Sequence, residues 1–259
     1  MKEKKTPLIL ISNDDGVHAN GIKELIQALR PLGELLVVAP DGPRSGMSGA
    51  ISSIDPLHIQ LLEADESMKI YSCSGTPVDC IKLGINELAE RQPDIVVSGI
   101  NHGSNSSLCV LYSGTVGAAL EGCVFGIPSV ALSLTDYDLN ADFKHACRYG
   151  RQIVEEVIRE GLPAGICLNV NIPAGTTIQG IKICTQTKGR WIKEFYKTRD
   201  EAGEELYWLT GEFDNTEPEN DKSDEWALAN GYVAVVPIQI DMTAYTMIER
   251  LHEILSDCR

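Results

Sequence analysis

The chain of 259 residues reads as an α/β fold built on a doubly wound, mostly parallel sheet. Two observations predict it. Short apolar runs alternate with segments of helical periodicity through most of the length, and polar, glycine-containing stretches follow directly after several of the runs. A hydrophobic content of 43% at this length is enough for one large core. Residues 1–259 are therefore expected to form one domain. In this reading 1–178 carry the core and the site, and 179–259 supply a β-hairpin arm, an acidic loop and a final strand and helix.

The elements follow in order. "LILIS" (Leu8 to Ser12) is an apolar run of strand length, after which Ile22, Leu25, Ile26 and Leu29 recur at helical spacing. "ELLVVAP" (34–40) is a second strand, ended by Pro40 and the loop "DGPRSGMSGA", and "KIYSCS" (69–74) is a third. "TPVDCIKLGINELAE" opens a helix with Thr76 as N-cap, Pro77 in the first position and Asp79 in the first turn. "PDIVVSGIN" (93–101) gives a strand and polar turn, "YSGTVGAALEGCVFG" (112–126) a small-residue helix, and "IPSVALSL" (127–134) a strand. Residues 143–160 are helical and "ICLNVNIP" (166–173) is a strand. Beyond residue 178, "IKICTQTKGRWIKEFYK" and "ELYWLTGEF" flank a long hairpin that holds two of the three tryptophans. Such an aromatic hairpin is either a local core flap or a subunit contact. "DNTEPENDKSDE" reads as a solvated acidic loop, "GYVAVVPIQID" as a strand, and Tyr245 to Leu255 as a closing amphipathic helix.

Composition excludes several functions. A formal net charge of −15 argues against nucleic acid or an anionic membrane as partner, since both require clustered lysine and arginine. No run approaches the ~20 apolar residues of a membrane span. "MKEKKTPLILIS" has too short an apolar run for a signal peptide, so a cytoplasmic protein is expected. The eight cysteines (73, 80, 109, 123, 147, 167, 184 and 258) contain no CxxC pair and read as reduced core residues.

The chemistry starts at "SNDDG". Adjacent aspartates inside a strand would face opposite sides, so Asp14 and Asp15 can serve one site only where the chain turns, which Gly16 permits. A plain turn and helix cap would read the same way. The DxD spacing of haloacid-dehalogenase phosphatases is absent, as are GxxxxGK[ST] and GxGxxG. Histidines 18, 58, 102, 145 and 252 show no metal-ligand spacing. What remains is rich in oxygen. Asp14, Asp15, Ser45 and Asn101 form a hard donor set suited to Mg²⁺, Mn²⁺ or Ca²⁺. Ser113, Gly114 and Thr115 at a helix start form an anion seat, with an ordinary N-cap as the plainer alternative. Cation ligands beside an anion seat fit metal-assisted phosphoryl hydrolysis. A noncatalytic nucleotide- or phosphate-binding module and a nucleotide-sugar transferase are the competing readings. A valine at Gly114 is expected to block phosphate while leaving the cation ligands untouched.

Taken together, "SNDDG", "APDGPRSGMSGAIS", "SGTPVDCI", "PDIVVSGINHGSN", "YSGTVGAALEG" and "LNVNIP" closely resemble the survival protein SurE family, in order from about residue 7 to 175. The resemblance implies a Rossmann-like fold with an arm for oligomerisation into a homodimer or homotetramer in the cytoplasm. It implies a divalent-metal phosphomonoesterase acting on nucleoside 5′-monophosphates, with 3′-monophosphates and short polyphosphate as further candidates. One cation per subunit, Mg²⁺ or Mn²⁺ with Ca²⁺ able to occupy the site, would be held by Asp14, Asp15, Ser45 and Asn101, the two aspartates being catalytic. Asn13, Gly46, Gly103, Ser104, Asn105, Ser113, Gly114 and Thr115 would lie on the phosphate and substrate side. Attack by water and by a covalent aspartate both stay open. One departure lies in the tail, where Val236 stands in place of the family's usual threonine.

Overall fold

Five consecutive buried residues make Leu8–Ser12 (β1) an interior strand, covered on both faces. The structure, a computed structural model, describes residues 6–138, 140–175 and 177–256. In chain order the further strands are β2 (Glu34–Pro40), β3 (Ile59–Ala64), β4 (Met68–Cys73), β5 (Ile95–His102), β6 (Ser129–Leu134), β7 (Ile166–Ile172), β8 (Gly180–Ile183), β9 (Gly189–Ile192), β10 (Phe195–Arg199), β11 (Glu205–Leu209), β12 (Glu212–Asn215) and β13 (Tyr232–Gln239). The helices are α1 (Asn20–Leu29), α2 (Pro77–Leu83), α3 (Gly114–Val124), α4 (Lys144–Glu160), α5 (Asp224–Ala229) and α6 (Ile248–Leu255).

Nine strands form one sheet in the order β3-β4-β2-β1-β5-β6-β7-β13-β8. It is parallel from β4 through β7. β3 runs antiparallel on β4, and β13 runs antiparallel to β7 but parallel to β8. Side-chain alternation splits the core into two layers. Ile9 and Ile11 pack with Ile22, Leu25 and Leu29 of α1 and with Val154 of α4. Leu8 and Leu10 pack on the other face with Cys80 and Ile81 of α2 and Ala118 of α3. From β1 the chain builds outward to β2 and β4 on one side and to β5, β6 and β7 on the other. The carboxyl ends of β1 and β5, paired at Ser12 and Ser98, therefore mark the switch point where ligands sit in such sheets.

Three parts of the chain differ from the sequence reading. β3 went unread because "IQLLEA" is exposed throughout and shows no buried face. The end of the acidic segment is not solvated: Ser223 caps α5 by accepting from Trp226 N, and Asp224 is 1% exposed. Charge content described the segment on average and missed that its last residues start a helix against the sheet. The C-terminal helix does not close onto the core either, because α6 has no buried residue and Leu251, Ile254 and Leu255 are exposed.

The hairpin is a two-tier ribbon. β9 pairs with β12 at its base, and β10 pairs with β11 at its tip. Trp191 belongs to the base, edge-on to Phe213 at 5.8 Å, whereas Phe195, Tyr196, Leu206, Tyr207, Trp208 and Leu209 at the tip are exposed. Among the described residues no helix is long and apolar enough to cross a membrane. The seven cysteines among them are free, and Cys258 lies outside the described residues.

Candidate active site

The site is assembled by three loops beyond β1, β2 and β5. Gly16 turns the chain with φ of +98°, a conformation that also allows its backbone to lie against Gly42, where a Cβ would stand 3.0 Å from the Gly42 carbonyl carbon. Asn13 Nδ2 donates to Gly16 O at 2.9 Å, closing this turn. Arg44 N donates to Asp14 O at 2.7 Å, which hooks the loop bearing Ser45 and Gly46 onto the aspartate pair.

The two carboxylates are tied to different neighbours. Asp14 Oδ1 accepts from Thr115 Oγ1 on α3, and Asp15 Oδ2 accepts from His102 N at the end of β5, 3.2 Å away. Asn101 Nδ2 donates to Gly103 O at 2.9 Å and His102 O at 3.2 Å, which commits the amide nitrogen and leaves Oδ1 as the atom that could ligate a cation. Ser113 caps α3, its Oγ accepting from Val116 N at 3.1 Å. At Gly114 a Cβ would stand 2.9 Å from Asp14 Cβ and 3.2 Å from Asp14 Oδ2. A side chain there collides with a proposed cation ligand, so the expected clean separation of phosphate from metal does not hold.

A cavity of about 220 Å³ lies at this point, lined by Asp14, Ser45, Gly46, Asn101, Gly103, Ser104, Asn105 and Ser113. Asp15, Asn13, Gly114 and Thr115 are not among its lining residues. Thr115 is fully buried with its hydroxyl committed to Asp14, and Asn105 spends its side-chain amide inward on Ser133 Oγ at 2.9 Å. His102, Cys109, Tyr112 and Tyr137 also line the cavity and were not read as site residues. Tyr112 directly precedes the "SGT" cap, which was a usable signal. Tyr137 lies over Gly103 only through folding, its ring 2.3 Å from where a Cβ would be.

The far side of the Gly103–Ser107 loop is anchored by α5. Asp224 Oδ2 accepts from Ser107 N at 2.9 Å, and its Oδ1 accepts from Thr187 N at 3.0 Å and Thr187 Oγ1 at 2.5 Å. Ser106 Oγ donates to Glu225 Oε1. Sequence offered no hint of this clamp, because its halves are more than a hundred residues apart.

Electrostatics favour a cation. Burial pushes the Asp14 carboxyl up to about 6, opposed by the Thr115 hydroxyl and reinforced by the Asp15 charge. Burial also raises Asp15, against the donor at His102 N. Among the described residues lining the cavity none is a lysine or arginine. The buried Asn13 Oδ1, next to Asp14 in the chain, has no protein donor. Two desolvated carboxylates with no lysine or arginine in the cavity wall, together with a hydroxyl and an amide oxygen, fit a hard divalent cation.

Residues 9–193 match the family described as "Survival protein SurE". The chain belongs to the SurE family. It is 53% identical to the 5′-nucleotidase SurE of Phocaeicola vulgatus over 249 residues, spanning 96% of this chain and 97% of the relative. Identity to the 5′-nucleotidase SurE of Bacteroides fragilis is 54% over 251 residues, spanning 96% and 98%. The crystal structure of the SurE protein from Aquifex aeolicus superposes with a TM-score of 0.82 at 37% identity, covering 96% of this chain and 99% of that one. The Rossmann-like sheet and the antiparallel hairpin expected of a SurE family member are both present.

Proposed function

We propose that this SurE family chain is a metal-dependent phosphomonoesterase that hydrolyses nucleoside 5′-monophosphates to nucleoside and inorganic phosphate. The observation that carries the reading is the adjacent pair Asp14 and Asp15 at the switch point, with Asp14 bonded to Thr115 at the N-terminus of α3 and lining a cavity whose described wall holds no lysine or arginine. Its nearly full-length relatives bearing the name 5′-nucleotidase SurE support the substrate class.

Asp14, Asp15, Ser45 and Asn101 would hold one divalent cation, Mg²⁺ or Mn²⁺. When bound, such an ion supplies Lewis acidity at a phosphoryl oxygen and lowers the pKa of water. The protein's own groups do the rest. Thr115 fixes the rotamer of Asp14, and His102 N fixes that of Asp15. The Gly114 N–H precedes the first bond of α3, Gly117 N to Ser113 O at 3.0 Å, and would be the amide offered to a phosphoryl oxygen, whereas the Thr115 N–H is spent on the Asp14 carboxylate. Ser104 also lines the cavity with its hydroxyl. Preorganised donors of this kind stabilise charge that develops on the equatorial oxygens.

The test is phosphate release from AMP or GMP. Activity should be abolished by EDTA, restored by Mn²⁺ or Mg²⁺, and nearly lost in Asp14→Asn, with Mn²⁺ affinity lost in parallel. Unchanged turnover of Asp14→Asn at limiting Mn²⁺ would remove the metal assignment. Nucleotide binding without phosphate release, with metal present, would leave a binding module instead.

A further inference from the structure

We propose that Glu225 is a positioning residue for anion binding, acting through Ser106 to set whether Ser104 donates or accepts a hydrogen bond at the cavity. The inference rests on the reading that the cavity takes a phosphoryl group. Its geometry is a chain of three side chains. Ser106 Oγ contacts Glu225 Oε1, Ser104 Oγ lies 2.5 Å from Ser106 Oγ, and Ser104 lines the cavity with Asp14 and Asn101. Ser106 N also donates to Ser104 Oγ at 3.2 Å, and Ser104 Oγ can donate to Asn171 Oδ1 at 3.5 Å, a long contact that a ligand oxygen at ordinary hydrogen-bond distance outcompetes.

Each hydroxyl has one proton to give. When Glu225 is ionised it can only accept, so Ser106 donates to it and Ser104 donates to Ser106. The Ser104 oxygen then meets the cavity with lone pairs, which repel an anion. When Glu225 is protonated the chain can reverse: the carboxyl donates to Ser106, Ser106 donates to Ser104, and the Ser104 proton is released to the ligand. Burial raises the Glu225 carboxyl above its usual range, opposed by the Ser106 hydroxyl and reinforced by Asp224. The titratable groups facing Glu225 are the Asp224 carboxylate on its own helix and the Cys109 thiol on the short turn after Ser106. The sign follows. Anion binding is favoured below the folded pKa of Glu225 and weakens as pH rises through it, and by linkage a bound anion promotes protonation.

Sulfate is a suitable probe because it stays dianionic across the range. Its affinity for the Mn²⁺-loaded protein would be measured calorimetrically at about pH 5, near the ordinary glutamate range, and at about pH 8. The wild type should weaken toward high pH by about tenfold more than Glu225→Gln, the scale of a hydrogen bond to a charged group. Glutamine keeps a donor and an acceptor but has no titrating proton. Ser106→Ala, which cuts the chain at its middle, should lose the extra pH dependence as well. In a Ser104→Ala background Glu and Gln at 225 should behave alike. If Glu225→Gln follows the wild type at both pH values while Ser104→Ala weakens sulfate, the relay is overturned and the anion contact stands. If Ser104→Ala binds sulfate like the wild type at both, Ser104 makes no anion contact and the relay falls with it.

Discussion

Asp14 carries three obligations that compete for a small space. It must face the cavity, accept the Thr115 hydroxyl and lie flat against Gly114. Gly114→Val should therefore disturb two functions together. A branched side chain less than van der Waals distance from Asp14 displaces the carboxylate and crowds the first amides of α3. Mn²⁺ and sulfate affinities should both fall in calorimetry, and turnover should drop by roughly 10²-fold or more, as when a preorganised donor is lost. Retained Mn²⁺ affinity would show that Asp14 can shift without consequence. At this scale the sequence was informative wherever chemistry is local. "NDDG" marks a strand end with two carboxylates, Ser45 lies in the loop after β2, and Asn101 stands at the end of β5. The function of Thr115 was not legible, because its hydroxyl was read as pointing to a ligand and its partner lies 101 residues away.

Elements were legible in proportion to how much of them is buried. β1 and β2 show nearly unbroken burial, and α1 buries the four apolar residues its periodicity marks. β3 and α5 escaped for opposite reasons, the one having no buried face and the other hiding buried Asp224 in an acidic run. Asp224 ties α5 to both the site loop and the root of the hairpin. Asp224→Ala would strand Ser107 N and Thr187 N, each unpaired buried donor costing about 1–3 kcal/mol. A loss on the order of 3 kcal/mol should lower Tm by roughly 6–12 °C in a thermal melt. Sulfate affinity should weaken with it. A melt matching the wild type would show that water replaces the carboxylate.

Among the described residues, exposed large apolar side chains cluster on the tip of the ribbon and on α6, and also on β3 and the loop before it. Contiguous exposed apolar surface of this kind is characteristic of association sites. We expect a homo-oligomer held in part by β10 and β11. Thr210 N donates to Glu194 O at 2.8 Å, so residues 195–209 can be replaced by an Asn-Gly turn without straining the base. Light scattering should then report a smaller particle, while an unchanged mass would mean that the tip folds back on its own subunit. The clamp by α5 also bears on the order in which the protein becomes competent. All four proposed cation ligands have been synthesised by residue 101, yet the loop behind Ser104 is anchored by residues 117 and 119 positions further along the chain from their partners. At ~5–20 residues per second a nascent chain waits roughly 6–24 s for that anchor. The ribosome thus delivers the reactive half first and the latch last, and the growing polypeptide carries an unfinished catalyst until its final third has folded.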